Sequence, residues 1–355
     1  MWDPRYRVVA TAPDGRFTIV LGELEYDDPF SVIISYDPRL SQPWSRVDVR
    51  REINGLTYVA YGQGELVPVA LSNEGDVYML FENVQRSKIA GVGIGSEDAD
   101  GRGEVWDIHA VGETLYVAGS NGQFYRSIQD GWEQISLPSP FSSISAMRPI
   151  GETGLLLVCE ILREIDPAEL PPWDKTNDET FLVSMNARLE AQRLFREQNP
   201  PQSVFYVYDD GEFVEVPAPL TRYARSAAVG VDGSILVVGL FGLVLLGDAT
   251  GLAHRKIPVS DLGFLSGALF GDSVWLGTDY AIYRMQGGNF SEVSQELGAV
   301  TKNGLLTPSR FVTQNEKLYY VDGKSGISVF DGKIWENITV PKSLQDREFD
   351  PAAPL

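Results

Sequence analysis

The chain has one cysteine, Cys159, and two histidines, His109 and His254, in 355 residues. A single cysteine cannot form an intramolecular disulfide, so no disulfide framework holds the fold. A reducing, cytoplasmic compartment is expected. Two histidines on different strand patterns exclude a His-based metal cluster. Basic residues are scarce. Lys+Arg number 29 against 49 Asp+Glu, a formal net charge of −20. That surface repels nucleic-acid phosphates and anionic lipid and draws cationic partners, so neither a nucleic-acid nor a membrane partner is expected. Long apolar runs are missing too. The longest, SILVVGLFGLVLLG (234–247), is too short to span a bilayer and is broken by Gly239 and Gly242. It reads as two buried strands joined by a tight turn. The start, MWDPRYRVVATAPDG, has no basic segment followed by an apolar one, so no signal peptide is expected.

What is present is turn chemistry. Residues 105–138 read VWDIHAV, Gly112-Glu113, TLYVAGS, Asn121-Gly122, QFYRS, Asp130-Gly131, WEQISL. Asn-Gly and Asp-Gly between aromatic-rich apolar runs signal β-hairpins, because the primed turns need φ > 0. The stretch is a four-stranded antiparallel meander. It cannot bury both faces alone and so needs copies beside it. Second strands align as TLYVAGS, GLLLVCE, SILVVGL, SVWLGTD and KLYYVDG; fourth strands align as WEQISLP, FVEVPAP and IWENITVP. Seven units, spaced by about 40 residues, occupy 6–49, 56–91, 105–138, 144–218, 225–259, 265–297 and 310–341. The expected fold is all-β: one domain over 1–341, a seven-bladed β-propeller of four-stranded antiparallel blades. Pro68 inside a strand pattern points to an edge or a bulge. The polar tail, 342–355, is expected to be flexible.

Phe330-Asp331-Gly332-Lys333-Ile334-Trp335 and Gln129-Asp130-Gly131-Trp132 resemble the repeat ends of bacterial sensor-type and YVTN-like propellers. The resemblance covers nearly the whole chain. It implies a fold and a tendency to bind other molecules, not one reaction. It is not a WD40 match, since Trp106-Asp107 opens a first strand and the WD40 dipeptide ends a third. Gly287-Gly288 alone does not make a kelch repeat.

Only the fourth unit is interrupted, by a helical insertion over 161–202. Pro167, Pro171 and Pro172 stiffen a segment around Trp173. Thr176-Asn177-Asp178-Glu179 reads as a capping box opening a helix. Phe181, Leu182, Met185, Leu189 and Phe195 then recur at helical spacing until Pro200-Pro201. A helix is expected within residues 177–198. Its apolar stripe packs it onto the propeller or meets a partner, and the sequence leaves both readings open.

Candidate chemistry is sparse. SEDADGRGE (96–104) offers Asp98, Asp100 and Glu104 as oxygen ligands. An EF-hand register from Asp98 puts Arg102 and His109 at ligand positions, so no metal is expected. Gly91, Gly93 and Gly95 lack a surrounding βαβ unit, and no cofactor is expected. Cys159 ends the run LLLVC and reads as core. His109 alternates with apolar neighbours, as a channel-facing or satisfied core histidine would. The arginines fall singly, so no convergent cluster is expected. In an antiparallel blade the links after the second and fourth strands leave on one face. That face collects Glu23, Glu25, Asp27, Asp28, Glu97, Asp98, Asp100, Glu164, Asp166, Glu169 and Asp174 together with the insertion. The candidate partner-binding residues are Glu25, Asp27, Asp28, Asp98, Asp100, Glu164, Asp166, Trp173, Asp174 and Arg188; no catalytic residue is assigned. The expected function is non-enzymatic. A monomeric, cytoplasmic, acidic propeller would hold a cationic protein, in the manner of an immunity protein that sequesters a toxin. The alternatives are a sensor or scaffold propeller, and a hydrolase or lyase acting on a sugar or lactone through channel carboxylates.

Overall fold

The computed structural model describes residues 5–22, 29–94, 101–163, 165–174, 176–259, 261–293, 310–323 and 326–345. Seven four-stranded antiparallel sheets follow one another along the chain, each built from consecutive strands. Blade 1 comprises Arg5–Thr11, Phe17–Gly22, Ser31–Tyr36 and Trp44–Val49. Blade 2 comprises Ile53–Tyr61, Glu65–Ser72, Asp76–Met79 and Gln85–Lys88. Blade 3 comprises Val105–Val111, Thr114–Gly119, Phe124–Ile128 and Gly131–Gln134. Blade 4 comprises Ser143–Ile150, Gly154–Ile161, Gln202–Asp209 and Glu212–Glu215. Blade 5 comprises Ala224–Val229, Ile235–Gly239, Val244–Asp248 and Gly251–His254. Blade 6 comprises Ser266–Phe270, Ser273–Gly277, Ile282–Gln286 and Asn289–Glu292. Blade 7 comprises Arg310–Gln314, Lys317–Asp322, Gly326–Phe330 and Trp335–Ile338. The first strand of every blade touches the first strands of both its neighbours, so these inner strands close a ring around a central channel. The chain is a seven-bladed β-propeller.

The ring explains the strand composition. Second strands are covered by a blade on either side and are largely apolar: Ile235–Gly239 is an unbroken apolar run, and Phe17–Gly22 is wholly buried with one polar residue, Thr18, bonded to Ser35 and Tyr58. Outer strands such as Glu212–Glu215 are mostly exposed. Seven hydrophobic clusters fill the seven gaps between blades. The Trp of a fourth strand reaches back to the preceding blade. Trp335 packs against Trp275 at 5.7 Å, and Trp132 joins the cluster between blades 2 and 3. Cys159 is wholly buried between blades 3 and 4, as the run LLLVC implies, and burial pushes its thiol pKa well up.

The termini do not share a blade. The ring closes by packing, with Val9, Phe17, Ile19 and Leu21 against Tyr319, Val321, Ile327 and Val329. One backbone bond, Tyr6 N–H to Gly323 O at 2.9 Å, crosses the seam. Within the tail, Lys342–Gln345 forms a short helix. Its Leu344 joins the same cluster, and its Leu344 carbonyl accepts from Arg46 at 3.2 Å. Pro68 pairs with Tyr58 and stands beyond the Val69–Leu71 ladder to the third strand, an end position its missing N–H tolerates.

The inner strands of blades 1 to 5 each carry an extra residue near their start, where the register slips. The skipped residues are Arg7, Asn54, Trp106, Ser145 and Arg225. Such bulges re-aim side chains at a rim. At two of them a glycine on the second strand makes room. A Cβ on Gly119 would lie 2.3 Å from Glu104 O, and one on Gly239 would lie 2.1 Å from Tyr223 O.

Candidate functional site

The insertion leaves blade 4 after its second strand, on the face that also receives every link from a fourth strand to the next blade. Its helix, α1, spans Asp178–Gln198. The capping box lies one residue later than the Thr176–Glu179 expected from sequence: Asn177 accepts from Thr180 N–H, and the Thr180 hydroxyl accepts from Asn177 N–H in return. The Pro-rich segment is clamped onto this helix. Trp173 stacks on Phe181 with ring centroids 5.4 Å apart, and the Arg188 guanidinium lies 4.7 Å from the Trp173 centroid. The same guanidinium donates to Pro171 O at 2.6 Å. Trp173 is therefore part of a small internal stack and still 48% exposed. Leu182 and Leu189 remain 52% and 54% exposed. No residue of α1 belongs to the hydrophobic clusters of the propeller among the described residues.

The predicted acids fare unevenly. Asp166 accepts from Ala168 N–H at 2.9 Å and starts the turn Pro167–Glu169. Asp174 accepts from the Thr176 hydroxyl at 2.5 Å, from Thr176 N–H at 2.9 Å and from the Thr180 hydroxyl at 3.2 Å. These bonds, the Thr176 hydroxyl first, lower its carboxyl pKa. Both residues thus organise the insertion itself. Glu25, Asp27, Asp28, Asp98, Asp100 and Glu164 lie outside the described residues, as do Glu23 and Glu97.

The acids share this face with chemistry that counting carboxylates overlooked. The links around blades 4 to 6 carry Leu220, Phe241 and Tyr280, exposed at 66%, 70% and 72%. Arg222, Arg225, Arg255 and Lys256 are exposed among them. Tyr223 and Phe241 meet with ring centroids 5.4 Å apart, at φ of 58° and 56°. A bulky residue in the left-handed region is strained, by about 1–3 kcal/mol. The matching turn of blade 3 has Asn121 at φ 51°, a residue that tolerates the conformation. Phe241→Asn is therefore expected to stabilise the fold by roughly 1 kcal/mol while removing an exposed ring from this face. Urea midpoints check the first effect; a lower midpoint would mean that the Tyr223 contact outweighs the strain.

The arginines, scattered singly in sequence, are not scattered in space. Asp107 and His109 sit two apart on the inner strand of blade 3 and so share a side. Arg148 comes from the inner strand of blade 4. Its Nη1 donates to Asp107 Oδ2 at 2.9 Å and lies 3.0 Å from His109 Nε2. Its Nε donates to Ala227 O of blade 5 at 3.0 Å. His109 Nε2 lies 3.2 Å from Asp107 Oδ1, and Met147 N–H donates to Asp107 Oδ2 at 2.8 Å. Burial alone would raise the Asp107 carboxyl. The charge of Arg148, with His109 and the Met147 N–H, overcomes it and holds the group well below the usual carboxylate range. Arg7 pairs with Glu52 of blade 2. Arg310 opens the inner strand of blade 7, within electrostatic reach of Asp107, Arg148 and Arg7. It is open to the water of the channel but ringed by protein. That desolvation, with the like charges of Arg148 and Arg7, lowers its pKa against the pull of Asp107. The signal in the sequence was the inner-strand position of these residues in separate repeats. Nothing local marks it.

On the opposite face a cleft of about 480 Å³ opens between Arg16, Glu65, Pro68 and Phe81. Arg16 is committed there to Asp14 at 2.8 Å and to Leu66 O at 2.8 Å. Among the described residues no set of His, Cys, Asp and Glu gathers to hold a metal ion. No described helix is long and apolar enough to cross a membrane.

No protein-family model matches the chain, and no curated protein sequence matches it either. Solved structures do. YCF48 bound to D1 peptide superposes with a TM-score of 0.56 at 13% identity, over 95% of this chain and 93% of that one. The WD40 propeller domain of Doa1 gives 0.56 at 10% identity, over 93% and 94%. The extracellular domain of the one-component system BT4673 of B. thetaiotaomicron gives 0.55 at 10% identity, over 92% of this chain and 38% of that one. At these identities the likeness shows the propeller fold and no more.

Proposed function

We propose that the chain is a protein-binding propeller whose insertion-bearing face holds a polypeptide partner. The observation that carries this reading is α1. It is capped and clamped by Trp173 and Arg188, yet it leaves Leu182 and Leu189 outside the described core clusters. Exposed apolar side chains on an ordered helix are what a partner covers. Leu220, Phe241 and Tyr280 extend the apolar surface across the same face. The similarity to a propeller solved with a peptide is in keeping with this reading.

The finer expectation of a cationic partner rests on the net charge of −20. An inhibitor of a basic toxin is one form of it and has no further support. A reducing, cytoplasmic compartment belongs to the same proposal, on the strength of a lone buried cysteine, and so does a monomeric state. The enzyme reading needs a channel carboxylate that exchanges a proton near neutrality. Asp107 is held ionised by Arg148 and does not offer that.

Affinity capture from the source cell supplies the partner, and titration of Trp173→Ala against it tests the reading. The substitution is expected to weaken binding by about 2 kcal/mol, roughly thirtyfold, with an unchanged unfolding midpoint. Unaltered affinity would move the binding site away from the insertion. If the partner is basic, association should also slow sharply as salt rises above about 0.1 M, where exposed charges are screened beyond about 10 Å.

A further inference from the structure

We propose that the insertion-side mouth of the central channel binds a carboxylate, gripped by Arg310 in the positive potential of Arg7 and Arg148. The site is distinct from the apolar surface of the insertion.

Three observations carry it. The first is position. Arg310 begins the inner strand of blade 7, and Arg7 is the bulge residue of the neighbouring inner strand in blade 1. Those two strands touch across the seam of the ring. The second is partnership. Two inner-ring charges elsewhere meet an opposite charge on the next blade: Arg7 pairs with Glu52, and Asp107 pairs with Arg148 at 2.9 Å. Arg148 is further used by Ala227 O and by Met147 O. Arg310 faces blade 1, where Arg7 stands instead of an acid. No hydrogen bond or ion pair is formed by its guanidinium among the described residues. The third is charge. The Arg310 guanidinium brings one positive charge that no described carboxylate pairs with, at the mouth of the channel of a chain whose net charge is −20.

Chemistry then selects the ligand. A guanidinium offers parallel donors that match the two oxygens of a carboxylate, and the match is strongest where water is restricted. The single unpaired charge of Arg310 balances one carboxylate. Phosphate carries about −1.5 to −2 near neutrality and would leave negative charge uncompensated in the channel. A cation would be repelled. The carboxylate belongs either to a free small acid or to the end of a peptide chain.

The test uses the full-length protein at constant ionic strength, with chloride as the reference salt. The probes are acetate, inorganic phosphate, and a short peptide with either a free or an amidated C-terminus. Acetate or the free-acid peptide is expected to raise the unfolding midpoint in a saturable way, and the amidated peptide is not. A response to acetate identifies a small acid as sufficient; a response confined to the free-acid peptide identifies a chain terminus. Arg310→Gln is expected to weaken the response at least tenfold without lowering the midpoint in chloride. Arg310→Lys keeps the charge, loses the planar fork and is expected to fall between. It also serves should Arg310→Gln fold poorly. The assignment is overturned if neither carboxylate acts, if phosphate acts equally, or if the Arg310 variants respond like the native chain. Protein lacking the insertion is expected to keep the acetate or free-acid response, which separates this site from partner binding.

Discussion

Replacing residues 162–201 by Asn-Gly is expected to leave a soluble propeller that unfolds cooperatively and no longer holds its partner. The reasoning begins with the flanking strands. Gly154–Ile161 and Gln202–Asp209 pair residue for residue, and Ile161 stands directly opposite Gln202. Two residues suffice to close that hairpin. Asn121-Gly122 occupies the matching turn of blade 3, with both residues at positive φ. The clusters on either side of blade 4 are filled by Leu155, Leu156, Leu157, Val158 and Phe205, without help from α1. Removing the insertion also removes the exposed Trp173, Phe181, Leu182 and Leu189. Binding is expected to drop beyond detection in the assay that measures the native chain. An insoluble variant would show that the half-buried side of α1, with Met185 and Phe195, is part of the core. A soluble variant of native affinity would assign recognition to Phe241, Tyr280 and their neighbours.

Asp107→Ala is expected to destabilise the fold by about 2–3 kcal/mol, because it strips Arg148 of its counter-charge and Met147 N–H of its acceptor. The figure sits below that for a fully buried pair, since both side chains keep some contact with channel water. The same site predicts a pH dependence with a definite sign. The folded carboxyl lies below its unfolded value of about 3.9, so its contribution is present above that pH and is lost as pH falls through the folded value. Urea unfolding at successive pH values checks this. The native chain should lose stability below about pH 4 more steeply than Asp107→Asn. Equal slopes would refute the ion pair as the source. Arg148→Met completes a double-mutant cycle, in which the combined loss should be smaller than the sum of the single losses.

The elements legible in the sequence were those decided within a few residues. The Asn-Gly and Asp-Gly turns were read correctly because φ > 0 is a local demand, met at Gly122 (φ 64°), Gly131 (φ 140°) and Gly233 (φ 80°). The helix was placed within 177–198 and runs Asp178–Gln198, because its cap and its terminating prolines are neighbours in sequence. Seven blades followed from seven repeats. Nothing in Leu240-Phe241-Gly242 distinguishes a buried ring from one held outward in a left-handed turn, so the exposure of Phe241 is not legible in the sequence.

The sequence alone determined the repeat, the strand order, the inserted helix and the excess of negative charge. Each of these is set by short-range geometry or by simple addition of residues. Tertiary structure alone decided which charges meet. Asp107, Arg148, Arg310 and Arg7 come from blades 3, 4, 7 and 1, and only closure of the ring brings their strands to one axis. It also decided that Trp173 lies between Phe181 and Arg188, since that stack depends on how the Pro-rich segment folds back on α1. Coulomb energy and ring contact depend on distance through space, and a linear chain does not carry that distance until it is folded.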